Sequence, residues 1–221
     1  MFDQAVRDPA GAFDLRGCDR ILDIGCGNRP FAQATHLVDV SLTDHSERFG
    51  YPIPLDGRPF YECSVEELPF DDGSFDYAYC SHVLEHVERP DLACRELMRV
   101  AKRGYIETPR SWVEYVFGAA SHRWLIDDEL GVLIFREKLA AEDSDPLGIR
   151  DAIFSLMDNP RFRAHWNSAG IRAVRNVEWH WDGSFDFAVI RAEERLPRRG
   201  ELGNGARPRD TENVLQHRWA T

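Results

Sequence analysis

The sequence predicts an α/β fold with a doubly wound, mostly parallel sheet of about seven strands. Three features carry this prediction. Short apolar runs recur through the first half of the chain, a helical segment separates two of them, and two late apolar runs are joined by Asp-Gly. Strands that alternate with helices pair in parallel, because a crossover returns the chain to the same end of the sheet.

Five strands and one helix are predicted in the first half. The strands are short apolar runs bounded by polar, Gly or Pro residues, at 20–24, 36–40, 60–63, 75–80 and 104–108. Apolar side chains at helical spacing predict a helix over 91–102, with Asp91 after Pro90 as its N-cap.

The second half begins with a different pattern. Two apolar runs around a polar turn at Asp128-Glu129 predict an inserted β-hairpin over 122–137. Residues 149–169 are predicted to be helical. We expect a break at Asn159-Pro160, because proline cannot continue a helix.

An antiparallel C-terminal pair is predicted next. The runs 171–181 and 185–192 flank Asp182-Gly183, and Asp-Gly between apolar runs is a strong hairpin signal. We therefore expect one domain over 1–195, with the hairpin as an insertion at about 110–140. Residues 196–221 are rich in Arg, Gly, Pro and Asn and are predicted to be disordered.

Composition narrows the function classes. The net charge of −11 argues against non-specific nucleic-acid binding, which needs a basic surface. No apolar run approaches the ~20 residues of a membrane helix, and the first residues lack the pattern of a signal peptide. The five cysteines are odd in number and scattered, which predicts reduced thiols and a cytoplasmic location.

A glycine turn and a following carboxylate are the main functional signal. The apolar strand before Gly25 and Gly27 leads into a turn where the backbone can pass close to a ligand. Twelve residues after Gly27, Asp39 ends the next strand. A carboxylate there can accept both hydroxyls of a ribose. Together these residues predict a pocket for a nucleoside-bearing cofactor.

A dinucleotide is disfavoured as that cofactor. Pro30 stands where the third glycine of the dinucleotide fingerprint would be, so the close helix–strand packing is missing. The spacing to Asp39 is also short of the ~20 residues usual in nicotinamide enzymes. A nucleotide-binding oxidoreductase is therefore the weaker alternative, and a cofactor without phosphates fits better.

Four segments in order resemble class I S-adenosylmethionine-dependent methyltransferases, in their small-molecule "type 11" branch. These segments are Leu-Asp-Ile-Gly-Cys-Gly at 22–27, the loop at 65–76, Ser-His-Val-Leu-Glu-His-Val at 81–87 and the helix segment at 95–100. The resemblance implies a Rossmann-like fold, S-adenosylmethionine as cofactor and a small-molecule methyl acceptor.

The resemblance also implies the roles of the first cofactor residues. Gly25 and Gly27, with the small Cys26 between them, would lie beneath the methionine and ribose. Asp23 would approach the methionine amino group. Asp39 would hold the ribose hydroxyls, with Val40 beside it at the nucleoside.

The adenine end departs from the family pattern. The family usually has an Asp where this chain has Ser64, so Ser64 and the backbone of Val65 would contact adenine through a weaker, neutral acceptor. The alternative is that the Ser64 hydroxyl bonds its own backbone, as loop serines often do. His82 would lie beside the methionine or the reacting methyl.

Methyl transfer needs chiefly positioning, because a sulfonium is already a good leaving group. A general base helps only if the acceptor O, N or C must lose a proton. His82 is the first candidate for the general base because of its location, and Glu107 and His122 are weaker candidates. A non-catalytic, cofactor-binding scaffold or sensor of the same fold remains the alternative function.

Three further features stay open or are set aside. His82, Glu85 and His86 spell a zinc-binding H-x-x-E-H pattern, but that pattern needs a continuous helix and a third ligand, so we expect no metal. The aromatics Trp112, Tyr115, Phe117 and Trp124 either line an acceptor pocket or pack a lid. Arg110, His122 and Arg123 either receive an acidic substrate or are merely solvated.

Overall fold

The computed structural model describes residues 13–48, 50–139 and 149–195. Residues 1–12 and all of the predicted tail at 196–221 lie outside these residues. The described part contains two β-sheets, with helices between and after their strands. None of the described helices is both long and apolar enough to cross a membrane.

The larger sheet has six strands in the order β3-β2-β1-β4-β5-β8. The first five strands in this order are parallel, and β8 is antiparallel to β5. The strands are β1 (Ile21–Ile24), β2 (His36–Asp39), β3 (Phe60–Glu62), β4 (Tyr77–Ser81), β5 (Arg103–Pro109) and β8 (Asn176–Asp182). The five strands predicted in the first half are confirmed to within two or three residues at each end.

Side chains of this sheet alternate between two cores. Leu22, Ile24, Ala78, Cys80 and Ile106 belong to the larger core cluster, which the first helix and the second sheet also join. Their neighbours along the same strands belong to a smaller, aromatic-rich cluster on the other face, with Ile21, Tyr77, Tyr79 and Tyr105. This period of two is what a sheet buried on both faces requires.

The predicted helix is α1 (Pro90–Val100), which crosses from β4 to β5. Proline is tolerated in the first turn, where its missing N–H has no partner to lose. Arg89, and not Asp91, is the N-cap residue. Ala93, Cys94, Leu97 and Val100 form its buried face.

The inserted hairpin is confirmed as part of a second sheet. Its strands are β6 (Trp124–Glu129) and β7 (Val132–Glu137), and β9 (Asp186–Ile190) pairs with β7 in parallel. The turn lies at Leu130-Gly131, two residues after the predicted one, and both of its residues have positive φ. That is the backbone of a two-residue hairpin turn whose twist matches the strands.

The predicted C-terminal hairpin is wrong. β8 pairs with β5 over seven residues, and after a bend at Gly183 the chain leaves the large sheet. β9 then pairs with β7, so the large sheet has six strands and not about seven. Tertiary pairing partners therefore override the local turn signal of Asp182-Gly183.

The remaining helices also correct the sequence prediction. They are α2 (Ser111–Phe117), α3 (Ile149–Met157), α4 (Pro160–Trp166), α5 (Ala169–Arg175) and α6 (Ala192–Arg195). The predicted break at Asn159-Pro160 is confirmed, and Asn159 caps α4 through its side chain. α5 occupies residues that were assigned to a strand starting at 171. No helix follows Gly27, because the described residues 25–35 form only turns, bends and irregular backbone.

Candidate active site

The glycine turn follows β1 and is tied to β2 by backbone hydrogen bonds. The N–H groups of Gly25 and Cys26 both donate to the carbonyl oxygen of Val38, at 2.8 and 3.0 Å. Gly25 and Gly27 have φ of 67° and 54°, which non-glycine residues rarely adopt. A Cβ on Gly25 would lie 2.2 Å from Val83 Cγ2. Close packing against the segment after β4 therefore requires glycine here.

Asp39 lies at the carboxyl end of β2, in direct contact with this turn. Its Oδ2 accepts from the Gly27 N–H at 2.9 Å, so the structure brings the two predicted cofactor residues together. Its Oδ1 accepts from Arg48 Nη1 at 3.1 Å and from the Ser41 N–H at 3.4 Å. The carboxylate is 7% exposed and already has three donors.

Arg48 is a residue of this site that sequence reasoning missed. Its guanidinium is buried, and besides Asp39 it bonds the Ser41 carbonyl oxygen at 2.9 Å and His45 Nδ1 at 2.9 Å. A carboxylate has about four lone-pair sites, and three are used. A ribose diol that takes both oxygens of Asp39 therefore requires Arg48 to move or to share the carboxylate.

Asp23, in β1, and Cys26, in the turn, are both buried. Asp23 is fully buried and its Oδ2 accepts from the Phe31 N–H at 2.7 Å, which closes the loop after β1. Cys26 is fully buried in the aromatic-rich cluster. Both side chains maintain the shape of the turn.

The residues predicted at the nucleoside end differ in exposure. Val40, next to Asp39, is 72% exposed and offers an apolar surface. Val65 is buried in the larger core, so only its backbone is available to a ligand. The Ser64 hydroxyl accepts from the Glu66 N–H at 3.1 Å, which is the local backbone bond that the alternative predicted.

His82 follows β4 in a left-handed conformation, with φ of 57°. Its N–H donates to the Glu107 carbonyl oxygen at 2.8 Å, which continues the β4–β5 pairing beyond the strand. Its ring lies between two carboxylates, with Nδ1 3.2 Å from Glu85 Oε1 and Nε2 3.7 Å from Glu107 Oε1. The ring is 27% exposed, so one side remains open to solvent.

These carboxylates set the charge of His82. Burial alone would lower the pKa of His82, but Glu107 and Glu85 outweigh it and raise the pKa to about 9. Burial would likewise raise the pKa of Glu107, yet His82 and Arg172 lower it to about 2. At neutral pH this part of the site therefore carries an imidazolium between two ionised carboxylates.

Glu107 is held by residues from three elements. Tyr105 donates its hydroxyl to Oε2 at 3.0 Å, Arg172 Nη2 donates to Oε2 at 2.8 Å, and the Asn176 side-chain amide donates to Oε1. Arg172 and Asn176 were not predicted. A carboxylate with this many donors is a weak base, which argues against Glu107 as the general base.

His122 lies just before β6 and belongs to a neighbouring cluster. Its Nδ1 is 2.6 Å from Glu114 Oε1, and Glu114, on α2, is buried. Burial lowers the pKa of His122, but Glu114 and Glu85 raise it above its ordinary value. The His122 ring packs edge-to-face on His86, with centroids 4.6 Å apart.

Two of the four predicted aromatic residues are buried within the fold. Trp124 is fully buried and donates its indole N–H to the Val87 carbonyl oxygen, while Phe117 is buried against Trp166. Trp112 and Tyr115 are exposed on α2.

The basic side chains are paired, Arg110 with Asp128 and Arg123 with Glu88. Neither arginine presents an uncompensated charge to a substrate.

Comparison with known proteins finds a family model that matches part of the chain. Residues 22–106 match a family model described as "Methyltransferase domain". The matched segment begins in β1 and ends within β5. It therefore contains the glycine turn, Asp39, Ser64 and His82, but neither the second sheet nor α2.

Two curated relatives are each 32% identical to the chain. The 27-O-demethylrifamycin SV methyltransferase of Amycolatopsis mediterranei aligns over 106 residues, 43% of this chain and 39% of that protein. The ubiquinone/menaquinone biosynthesis C-methyltransferase UbiE of Xanthomonas oryzae aligns over 139 residues, 54% of each. The chain thus spans about half or less of their length. A solved Thermotoga maritima structure, a possible histamine N-methyltransferase, has a TM-score of 0.33 at 23% identity, over 41% of this chain and 44% of that one.

Proposed function

We propose that this chain, whose residues 22–106 match the methyltransferase domain model, is a class I S-adenosylmethionine-dependent methyltransferase of the type 11 branch and transfers the cofactor's methyl group to a small-molecule acceptor. The observation that carries the proposal is the contact between Gly27 and Asp39. A glycine turn with positive φ after β1 bonds the carboxylate at the end of β2, at the carboxyl edge of a parallel sheet. Ligands of open α/β sheets bind at that edge.

The residues present fit S-adenosylmethionine at the ribose end. Asp39 would accept from the ribose hydroxyls, and the exposed side chain of Val40 would lie against the base. The backbone at Gly27 would pass close to the ligand without a Cβ in the way. When bound, the cofactor supplies a sulfonium methyl that an acceptor attacks in line. The chain's own contribution is to orient the two reactants and exclude water.

A small acceptor is favoured over a macromolecular one. The net charge of −11 opposes a phosphate backbone. The printed names of the two curated relatives refer to methylation of a rifamycin and to ubiquinone/menaquinone biosynthesis. We place the acceptor beside the His82 ring, which is 27% exposed. His82 would contact the acceptor, with its orientation held by Glu85 and Glu107.

One observation favours a second candidate function, in which the chain keeps the fold as a scaffold and catalyses no reaction. Arg48 already neutralises Asp39 inside the protein, at 3.1 Å. A chain that had lost cofactor binding could retain this ion pair for stability alone. In that case S-adenosylmethionine would not bind.

Calorimetry tests whether the chain binds the cofactor at all, which methyl transfer requires. We expect wild type to bind S-adenosylmethionine and S-adenosylhomocysteine, and Asp39→Ala to bind each about 100-fold more weakly, because two charge-assisted hydrogen bonds of about 1.5 kcal/mol each are lost. Asp56→Ala, which removes an exposed aspartate, is the matched control and keeps wild-type affinity. If neither ligand binds wild type, the methyltransferase proposal is wrong and the scaffold is favoured.

A further inference from the structure

Glu85, His86 and His122 converge at one point. Each offers one ligand atom, and these three atoms all lie within 4.8 Å of one another. Glu85 and His86 lie in the turn after β4, whereas His122 lies 36 residues later, just before β6. Backbone bonds join the two segments, since the Arg123 N–H donates to the Glu85 carbonyl oxygen at 2.7 Å. The pattern at 82–86 lacked a third ligand, and the fold brings His122 to it.

Glu85 has one carboxylate oxygen without a hydrogen-bond partner. The side chain is 1% exposed, and Oε1 is paired with His82 Nδ1. Oε2 is buried and has no donor. A buried carboxylate oxygen left unsatisfied is destabilising by about 1–3 kcal/mol or more. A cation bound at the cluster would satisfy it.

His122 is oriented as metal-binding histidines are. Its Nδ1 is bonded to Glu114 Oε1 at 2.6 Å, which leaves Nε2 as the available ring nitrogen. Glu114 is itself fixed, because Oε2 accepts from the Ala119 N–H at 3.4 Å and lies 3.8 Å from Lys138 Nζ. A carboxylate behind the ring nitrogen that faces away from the ion is the usual support of a histidine ligand.

We propose that Glu85, His86 and His122 bind one divalent first-row transition-metal ion, of which Zn²⁺ is the representative. Two imidazole nitrogens and one carboxylate oxygen are a common donor set for such ions with a position left open. His86 and His122 are partly exposed while Glu85 is buried, so solvent or a ligand reaches the fourth position from the histidine side. His82 does not coordinate the ion and instead orients Glu85. This site does not depend on the proposed methyl transfer.

The test uses the full chain without an affinity tag, stripped with a chelator and titrated with ZnCl₂ by calorimetry. We expect one ion per chain, and a weakening of at least about tenfold in His86→Gln and in His122→Gln. His165→Gln, an exposed histidine on α4, is the matched control and binds Zn²⁺ as wild type does. No binding by wild type, or equal binding by all four proteins, would overturn the proposal.

Two further measurements extend the test, and the first needs no variant. Co²⁺ bound to wild type is expected to give visible absorption bands that Zn²⁺ abolishes, and their absence would count against the site. Glu114→Gln keeps the shape of the side chain and is expected to weaken Zn²⁺ about 10–100-fold through His122 alone. An unchanged affinity in Glu114→Gln would contradict the role assigned to that carboxylate.

Discussion

The two halves of the site are built in different ways. At the β1–β2 edge, backbone N–H groups and one buried ion pair surround Asp39, and all of these residues lie between 23 and 48. At the β4–β5 edge, His82 and Glu107 are held by side chains from β8, α5 and the turn after β4. The first half is local in sequence and depends on backbone shape. The second is assembled from distant segments and depends on charge balance.

This difference predicts different responses to substitution. Removing one charge from the β4–β5 half leaves its partners buried and uncompensated, which is costly. Changing the β1–β2 half strains the backbone or alters ligand binding. The predictions below test this contrast in order of decreasing effect.

Glu107→Ala has the largest expected effect. It leaves Arg172 and His82 without their shared carboxylate inside the protein, and we expect a loss of about 3–5 kcal/mol in the free energy of unfolding. Urea denaturation measures it. Glu178→Ala is the matched control, because Glu178 is 3.5 Å from the same arginine but more exposed, and should change stability by no more than about 1 kcal/mol. Equal losses in the two variants would contradict the network.

Gly25→Ala should destabilise the protein by about 2–4 kcal/mol. Part of this comes from the left-handed backbone and part from the overlap with Val83. Gly183→Ala has a similar φ of 70° but no atom within 4 Å, and so should show only the backbone part, about 1–2 kcal/mol. In a Val83→Ala background the overlap is removed, so adding Gly25→Ala should lower the free energy of unfolding by only the backbone part. If the two glycine variants are equally stable, packing against Val83 does not require the glycine.

The contribution of Glu107 should depend on pH. Its pKa is lowered to about 2 in the folded protein from an ordinary value of 4.5. A carboxylate with a depressed folded pKa stabilises fully above its unfolded pKa and loses that effect as the pH falls through the folded one. The stability gap between wild type and Glu107→Gln, measured by urea denaturation, should therefore begin to shrink as the pH falls below about 5 and be mostly lost near about pH 2. A gap that stays constant as the pH falls would show that folding does not lower the pKa of Glu107.

Ser64→Ala should have the smallest effect. The hydroxyl is bonded to the Glu66 N–H, so its removal is expected to weaken S-adenosylmethionine binding less than about threefold, a change below one neutral hydrogen bond. Calorimetry with wild type and variant both fully folded measures the change in affinity. A loss above about tenfold would place the hydroxyl on adenine instead.

The same contrast explains what could be predicted from the sequence. The apolar runs of β1 to β5 and the glycine turn are contiguous signals, and they locate one half of the site. Glu107 and His82 were identified by their positions at strand ends. Arg172, Asn176 and Glu114 follow no pattern, because their roles arise only when separate segments pack together.

The errors in the fold prediction have a similar origin. Ile171 and Val174 have β-branched side chains, so this segment was assigned to a strand, but Ala169–Arg175 form the helix α5. Asp182-Gly183 gives a local hairpin signal, yet β8 and β9 find better partners in β5 and β7. Long-range pairing decided the second case, and a local pattern does not contain that information.

The most direct measurement is a crystal structure of the chain with S-adenosylhomocysteine. We expect both ribose hydroxyls within about 3.2 Å of the Asp39 carboxylate, with Arg48 either moved from its present position 3.1 Å from Oδ1 or sharing the carboxylate with the ribose. A ligand bound elsewhere, with the Asp39–Arg48 pair unchanged, would contradict this expectation.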